Sequence, residues 1–161
     1  MAIYVKYTTP SAEGNVTAKG FEKQFEISSF QFGVGRGIGS PTGSSSDREA
    51  STPSVSEVVV TKALDNASST LFKEGLSGEG KATAVLSFVR TDKDGGKVYF
   101  LITLSNVMVS GYSVSSGGDR PTESVSLNFT KIELKFTPVD ATGTDGSPVP
   151  VTYDLGLQQL S

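Results

Sequence analysis

The 161-residue sequence contains no cysteine, no histidine and no tryptophan. Without cysteine, the chain can form no disulfide, no thiolate nucleophile and no cysteine-ligated zinc or iron–sulfur site. Without histidine, it has no imidazole base, no Ser-His-Asp triad and no histidine-ligated metal. Catalysis would have to use a carboxylate pair or a serine–lysine couple. No group of carboxylates has calcium-loop spacing, so we predict no metal site and no cofactor.

Charge and hydropathy exclude two classes of partner. Lys and Arg number 14 and Asp and Glu number 17, a net charge of −3, whereas nucleic-acid-binding domains are normally basic. No run approaches the ~18 apolar residues of a membrane-spanning helix, so we expect no membrane insertion. Residues 1–6 do not resemble the start of a secretory signal peptide. We therefore expect one domain, residues 1–161, made in the cytoplasm without a cleavable signal peptide.

The alternation of apolar residues predicts a mainly β fold. In residues 22–34 and 125–136 the period-2 pattern changes phase, at Ser28-Ser29 and at Thr130-Lys131. A phase change of this kind indicates a bulge or a corner where a strand changes sheets. Two such corners favour a small antiparallel β-barrel of two packed sheets. The other predicted strands are residues 3–7, 55–62, 82–90, 97–104 and 107–115, with a hairpin turn at 92–96.

One segment, residues 65–77, has the spacing of a short α-helix. Leu71, Phe72 and Leu76 recur at helical intervals, Asp65 or Asn66 can cap the start, and Gly78 can end the helix. We expect the three apolar side chains to pack against the strands, because so short a helix is marginal by itself.

A long extended loop is predicted at residues 35–54, which lack any helix or strand pattern and are rich in Gly and Ser. Loops of that length in a compact domain are usually functional or disordered. The glycines at its start do not have the spacing of a phosphate-binding loop. A second, shorter loop is expected at residues 140–150.

Asp119 and Glu123 are the best candidates for a catalytic pair, because they flank a glycine-rich turn. A carboxylate hydrolase would need them to converge in a cleft. Charged residues beside Gly-Gly are more often solvated turn residues, so we predict no catalytic residue and no enzyme.

Several stretches, in the same order, resemble one known family. They are residues 1–7, 29–38, 40–43, 47–51 and 53–62, followed by 109–133. The most specific part is Ser116 to Pro121 (Ser-Gly-Gly-Asp-Arg-Pro), followed by Ser126 to Lys131 (Ser-Leu-Asn-Phe-Thr-Lys). The sequence is similar to the haemolysin-coregulated protein (Hcp) family, the tube protein of type VI secretion systems.

The resemblance implies a function in self-assembly and secretion. It implies a structural subunit that closes into head-to-tail homohexameric rings, which stack into a tube that is expelled from the cell with effectors in its lumen. The implied partners are further copies, effector proteins, and the sheath, spike and baseplate proteins. The alternative that the residues leave open is a β-sandwich module that binds carbohydrate or protein and forms no tube.

Two sets of site residues accompany this hypothesis. Alternation places Ser29 and Gln31 opposite Phe30 and Phe32; if the two aromatic rings pack in the core, the polar pair faces outward, and the resemblance implies that it lines the lumen. We expect the loop at 35–54 to project and to pack on a neighbouring subunit. Its expected polar anchors are Arg36, Asp47, Arg48 and Glu49.

Overall fold

The computed structural model of the chain describes residues 1–39, 43, 50–93 and 95–161, and these residues form strands and one helix. The strands are β1 (Ala2–Thr8), β2 (Phe25–Ile27), β3 (Ser29–Gln31), β4 (Val34–Gly35), β5 (Ser54–Val55), β6 (Val58–Ala63), β7 (Ala82–Asp92), β8 (Gly95–Ser115), β9 (Thr122–Asn128), β10 (Lys131–Phe136), β11 (Val149–Asp154) and β12 (Gln159–Leu160), and the helix is α1 (Ser68–Ser77).

Two antiparallel sheets share the long strand β8. The first sheet has the order β12-β11-β10-β8-β7-β1-β2, and the second has the order β3-β6-β9-β8. The first half of β8 pairs with β7 and β10, and residues 108–115 pair with β9. Because one strand belongs to both sheets, the two sheets are joined along a continuous backbone.

The chain passes between the sheets at three corners. At the first, between β2 and β3, the N–H and the hydroxyl of Ser28 both donate to the Thr61 carbonyl, at 2.7 and 3.0 Å. The second lies between β9 and β10 and the third lies within β8. At the third corner Asn106 has a φ of 55°, a conformation that asparagine tolerates better than most residues. Its side-chain amide donates to the hydroxyl of Thr130, at the second corner, at 2.8 Å.

These corners confirm that residues 22–34 and 125–136 change sheets where their patterns change phase. The mainly β class, the two packed sheets and the single flanking helix are also confirmed. The predicted barrel is not closed by hydrogen bonds within the described residues, because the path of the first sheet ends at β2 and at β12. The predicted strands at 97–104 and 107–115 are one strand, β8.

The core lies between the inner faces of the two sheets. Its residues alternate along each strand with outward residues, as Val58 and Val60 on β6 are buried beside the half-buried Val59 and Thr61. Burial of each such apolar side chain contributes about 1.5–3 kcal/mol to folding. The alternation that predicted the strands therefore also identifies the core.

The helix is shorter than predicted at its start. α1 begins at Ser68, and the predicted cap Asp65 instead accepts the Ala67 N–H at 2.9 Å and donates its own N–H to the Ser68 hydroxyl at 2.9 Å. The predicted end is correct, because the Gly78 N–H donates to the Glu74 carbonyl at 2.9 Å. A Cβ at Gly78 would lie 2.7 Å from that carbonyl oxygen, so the position strongly favours glycine.

Of the three side chains predicted to bury against the strands, Leu71 does so, Phe72 does so in part, with its ring centroid 5.7 Å from that of Tyr112 on β8, and Leu76 does not. Leu71 is 1% exposed, whereas Phe72 and Leu76 are 52% and 73% exposed. The face of α1 with Leu71 and Gly75 lies against β8, where a Cβ at Gly75 would be 3.6 Å from Val109 Cγ1. That close approach turns Leu76, and part of Phe72, toward solvent.

The strands β11 and β12 were not predicted. β11 includes Pro150, and a proline argues against a strand when only the sequence is known. The segment nevertheless pairs with β10 from Lys131↔Asp154 to Phe136↔Val149. The expected loop at 140–150 is present up to the start of β11 and is closed by a bridge between Val139 and Asp145.

The contrast within α1 generates a stability prediction. Leu71→Ala should lower the free energy of unfolding by about 2–5 kcal/mol, because it removes a fully buried side chain. Leu76→Ala is the matched control on the exposed ridge and should change it by less than about 0.5 kcal/mol. Urea denaturation followed by circular dichroism measures both. Equal effects of the two substitutions would contradict the burial of this face.

Candidate assembly surfaces and a buried lysine network

A fully buried lysine joins the second sheet to the helix. Lys62 on β6 is 0% exposed, and its Nζ donates to Glu123 Oε2 on β9 at 2.9 Å and to Asp65 Oδ1 at 2.8 Å. A longer contact of 3.3 Å reaches the hydroxyl of Ser68, the first residue of α1, and the ring centroid of Phe25 lies 5.5 Å away. The cation is thereby neutralised by two carboxylates, which a buried charge requires.

Two tyrosines complete the polar contacts beneath the helix. The Tyr112 hydroxyl donates to Glu123 Oε1 at 2.8 Å, and burial together with this bond raises the pKa of Tyr112 to about 12. The Tyr7 hydroxyl donates to Glu74 Oε2 on α1 at 3.2 Å. Burial, more than the adjacent carboxylate, raises the pKa of Tyr7. Both phenols are therefore neutral hydrogen-bond donors at physiological pH.

The candidate hydrolase pair is not brought together as a solvent-facing pair. Asp119 is exposed in the turn after β8, whereas Glu123 is fully buried. Both carboxylate oxygens of Glu123 are engaged, one by Lys62 and one by Tyr112. The expectation that Glu123 is a solvated turn residue is also wrong. Glu123 is the second residue of β9, and its side chain is buried on the core face of that strand.

The alternation along β6 and β9 contains a signal for this network. Lys62 follows Val58 and Val60 at the same parity on β6, and Glu123 precedes Val125 and Leu127 at the same parity on β9. Opposite charges at core positions of two strands predict a buried pair if the strands are neighbours, as β6 and β9 are, with Lys62 opposite Glu123.

The outer face of the second sheet carries no charged residue and mostly polar ones in two rows of cross-strand partners. The rows follow from the strand register, since partners in an antiparallel sheet point to the same face. They run from β3 through β6 and β9 to β8 and consist of Ser29, Thr61, Ser124 and Ser113, and of Gln31, Val59, Ser126 and Gly111.

Ser29 and Gln31 are exposed on this outer face, whereas Phe30 and Phe32 are partly buried and pack against the core. The alternation expected from sequence is therefore present. At the edge of the same face, Glu57 accepts the Ser110 hydroxyl at 2.5 Å and the Asn128 amide at 3.3 Å.

The ends of the predicted loop form an ordered arm of two antiparallel segments, which we call the arm (residues 33–39 and 50–56). Gly33 pairs with Ser56 and Gly37 with Ser51 in the same way: the serine N–H donates to the glycine carbonyl, and the glycine N–H donates to the serine hydroxyl. The four distances lie between 2.7 and 2.8 Å. The loop therefore has more structure than its sequence predicted.

The arm is anchored at its root and exposed beyond it. Phe32 and Val55 pack against the core, whereas Val34 is 66% and Ile38 is 48% exposed. Within the arm, the strands β4 and β5 form a separate two-stranded sheet. Arg36 is exposed on it, and the other expected anchors, Asp47, Arg48 and Glu49, lie outside the described residues.

A row of aromatic rings runs from the root of the arm across the core. Successive ring centroids are 5.7, 5.3, 5.1 and 6.4 Å apart, within the range of favourable aromatic contacts. The row, which we call the aromatic row, consists of Phe32, Phe30, Phe88, Phe100 and Phe136. Its last ring, Phe136, is 47% exposed, so the row begins at one surface feature and ends at another.

Among residues 1–39, 43, 50–93 and 95–161, no helix is both long and apolar enough to cross a membrane. The same residues contain no group of three carboxylates placed to hold a metal ion.

The fold of the chain occurs in known proteins. A solved type six secretion system protein superposes over 99% of both chains with a TM-score of 0.89 and 24% identity. Hcp1 from Salmonella typhimurium superposes over 99% of this chain and 98% of its own with a TM-score of 0.77 and 20% identity. At these identities, the likeness shows the fold.

The family follows from the sequence comparisons. Residues 4–136 match the model of the family described as type VI secretion system effector, Hcp, and the chain belongs to this family. Protein hcp1 of Pseudomonas aeruginosa is 33% identical over 104 residues, which are 63% of this chain and 64% of that protein. The match thus spans less than two thirds of that relative. Hcp proteins are secreted, structural components of the type VI secretion system.

The lysine network generates a second stability prediction. Lys62→Met should lower the free energy of unfolding by about 3–5 kcal/mol, because it leaves two carboxylates buried without their cation. Lys81→Met is the matched control: Lys81 is exposed and pairs with Glu79, and loss of such a pair costs about 0.2–1 kcal/mol. Chemical denaturation measures both. A small effect at Lys62 would show that the network does not hold α1 on the sheet.

Proposed function

We propose that the chain is a structural, non-catalytic subunit of the type VI secretion tube. Six copies associate head to tail in a ring, and rings stack into a tube that leaves the cell with effector proteins in its lumen. In this proposal, residues 1–161 act as one domain, and the sheath, spike and baseplate proteins are further partners. Family membership supports this assignment.

The observation that carries the proposal is the arm, which is hydrogen-bonded within itself but exposes apolar side chains. Ordering each residue costs about 1–2 kcal/mol in backbone entropy, and an isolated two-stranded hairpin is marginal in water. A surface on another copy would provide the missing burial. An arm that leaves its own domain and meets a different surface on the next copy produces head-to-tail assembly.

The accessible surface also supports assembly. The chain exposes 9703 Å², about 2,000 Å² more than the ~7,700 Å² expected for a compact monomer of this mass. A standard interface covers about 800 Å² of each partner, and a subunit within a ring has two of them. The excess is therefore large enough to supply the contacts of a ring.

The outer face of the second sheet is the proposed lining of the lumen. Its exposed Ser29 and Gln31 and the neighbouring Ser and Thr side chains can donate and accept hydrogen bonds without a fixed charge. Such a surface can contact cargo of different sequences weakly and release it. Because Phe30 and Phe32, on either side of Gln31, face the core, substitution of Gln31 changes this surface without changing the packing beneath it.

The ring is tested by its mass. Size-exclusion chromatography with light scattering at micromolar concentration should give the mass of six subunits, because the exposed arm has its partner only in an assembly. A mass of one subunit would overturn the tube assignment and favour the β-sandwich binding module.

The lumen assignment is tested with Gln31→Arg. Small proteins that remain bound to purified rings are identified by mass spectrometry, and the variant should retain a changed set because it places a cation on the lining. Ser11→Arg adds the same charge in an exposed loop and should retain the wild-type set. Both variants should keep the ring mass. Identical recovery from all three rings would leave Gln31 as ordinary surface.

A further inference from the structure

We propose that a cavity beside the corner between β2 and β3 is a binding site for a basic α-amino acid of the lysine type. The cavity has a volume of about 580 Å³, which is within the range of small-molecule sites. Its walls come from the loop between β1 and β2, from β2, from the end of β6 and from the turn before β9. The site is formed within one chain, so this inference goes beyond the proposed tube function and does not depend on it.

Asp65 supplies the cavity with a mostly buried carboxylate. Its side chain is 9% exposed, and the bonds from Lys62 Nζ and from the Ala67 N–H both go to Oδ1. Within residues 1–39, 43, 50–93 and 95–161, no hydrogen-bond donor is placed on Oδ2. A buried carboxylate oxygen without a donor is unfavourable, and because Asp65 lines the cavity, a ligand can provide that donor.

The charges of the lysine network favour a cationic donor at this point. In the network, the one ammonium group of Lys62 faces two carboxylates, those of Asp65 and Glu123. Glu123 is fully buried, and its two oxygens are engaged by Lys62 and Tyr112. Asp65 is therefore the carboxylate through which the network meets the cavity. An ammonium group of the ligand at Asp65 would balance the second negative charge.

Arg120 supplies the complementary group for a carboxylate. Its Nε and Nη2 both donate to the Leu64 carbonyl, Nε at 2.8 Å, so the guanidinium group is held next to the residue that precedes Asp65. In the part of the chain that the structure describes, Arg120 forms no ion pair with Asp65 or with Glu26, although all three line the cavity. The remaining N–H groups of the guanidinium can bind a carboxylate. A zwitterion can therefore bridge opposite charges that do not pair with each other.

Glu26 and the apolar walls favour a basic side chain on that zwitterion. Glu26 is exposed on β2 opposite Tyr4 in the strand register, and both residues line the cavity. The Tyr4 ring is supported by Phe21, whose ring centroid lies 4.9 Å away. An aliphatic stem can pack beside Tyr4 and Ala63 while its terminal cation pairs with Glu26. Two carboxylates and one arginine thus match the two ammonium groups and the one carboxylate of lysine.

The site is tested by isothermal titration calorimetry of the purified full chain with free L-lysine. L-Norleucine has the same carbon chain without the side-chain ammonium group, and L-lysinamide lacks the carboxylate. We expect saturable binding of L-lysine, about tenfold tighter than that of either analogue. Absence of saturable L-lysine binding at millimolar concentrations, or equal affinities for the three compounds, would overturn the proposal.

Two variants test the position of the ligand. Glu26→Gln should weaken L-lysine binding about tenfold and leave the weaker binding of L-norleucine unchanged, because it removes one charge from the cavity. Ala63→Leu should abolish binding by filling the cavity while its charges remain. Glu79→Gln is the matched control, since Glu79 is exposed, pairs with Lys81 and does not line this cavity; it should bind L-lysine as the wild type does.

Circular dichroism establishes that each variant is folded before its affinity is compared. Wild-type affinity for L-lysine in both Glu26→Gln and Ala63→Leu would overturn the proposal, because the ligand would then lie elsewhere. Light scattering on the same samples separates this inference from the tube assignment. Rings that bind no L-lysine contradict the cavity site alone, whereas monomers that bind it contradict the tube assignment alone.

Discussion

The position of the helix depends on the buried ion pairs of Lys62, whose ammonium group is shielded from water on the core side of the second sheet. A buried cation must be neutralised and hydrogen-bonded, and its side-chain partners come from β9, from Asp65 three residues before the helix and from the first residue of the helix. A shift of α1 would therefore separate a buried charge from its partners. With Tyr7 bound to Glu74 at the other end, the helix is located by polar contacts as much as by apolar packing.

The elements predicted correctly from the sequence are mainly strands, because apolar residues at every second position indicate one buried face. The phase changes at Ser28-Ser29 and Thr130-Lys131 locate two corners because a period-2 pattern can reverse only if the strand bends or changes sheets. The exposure of Leu76, and of half of Phe72, was not predicted, for a different reason. Helical spacing places them on one ridge with Leu71 as a neighbour, but the close approach of Gly75 to β8 decides which ridge is buried, and that contact is tertiary.

The same distinction applies to the candidate site. The outward direction of Ser29 and Gln31 follows from alternation alone, whereas the two polar rows across the second sheet need the pairing of four strands. The arm was predicted as a loop because its pairing uses glycine backbone and serine hydroxyls, which have no strand propensity. The strands β11 and β12 were missed because Pro150 hides the alternation in β11. The local residue pattern thus predicts which way a side chain points, whereas the surfaces form only when distant segments of the chain pair.

The aromatic row has a geometric consequence for any closed assembly. It connects the root of the arm to Phe136 through five rings in contact, and packed interiors resist deformation. In a head-to-tail array of identical subunits, the orientation of one contact relative to the other decides whether the array closes or continues as a helix. In the proposed assembly, the arm would form one of these contacts, and the aromatic row would fix its direction relative to the core of its own subunit. The curvature of the assembly would then be encoded in the interior of each subunit, away from the interface itself.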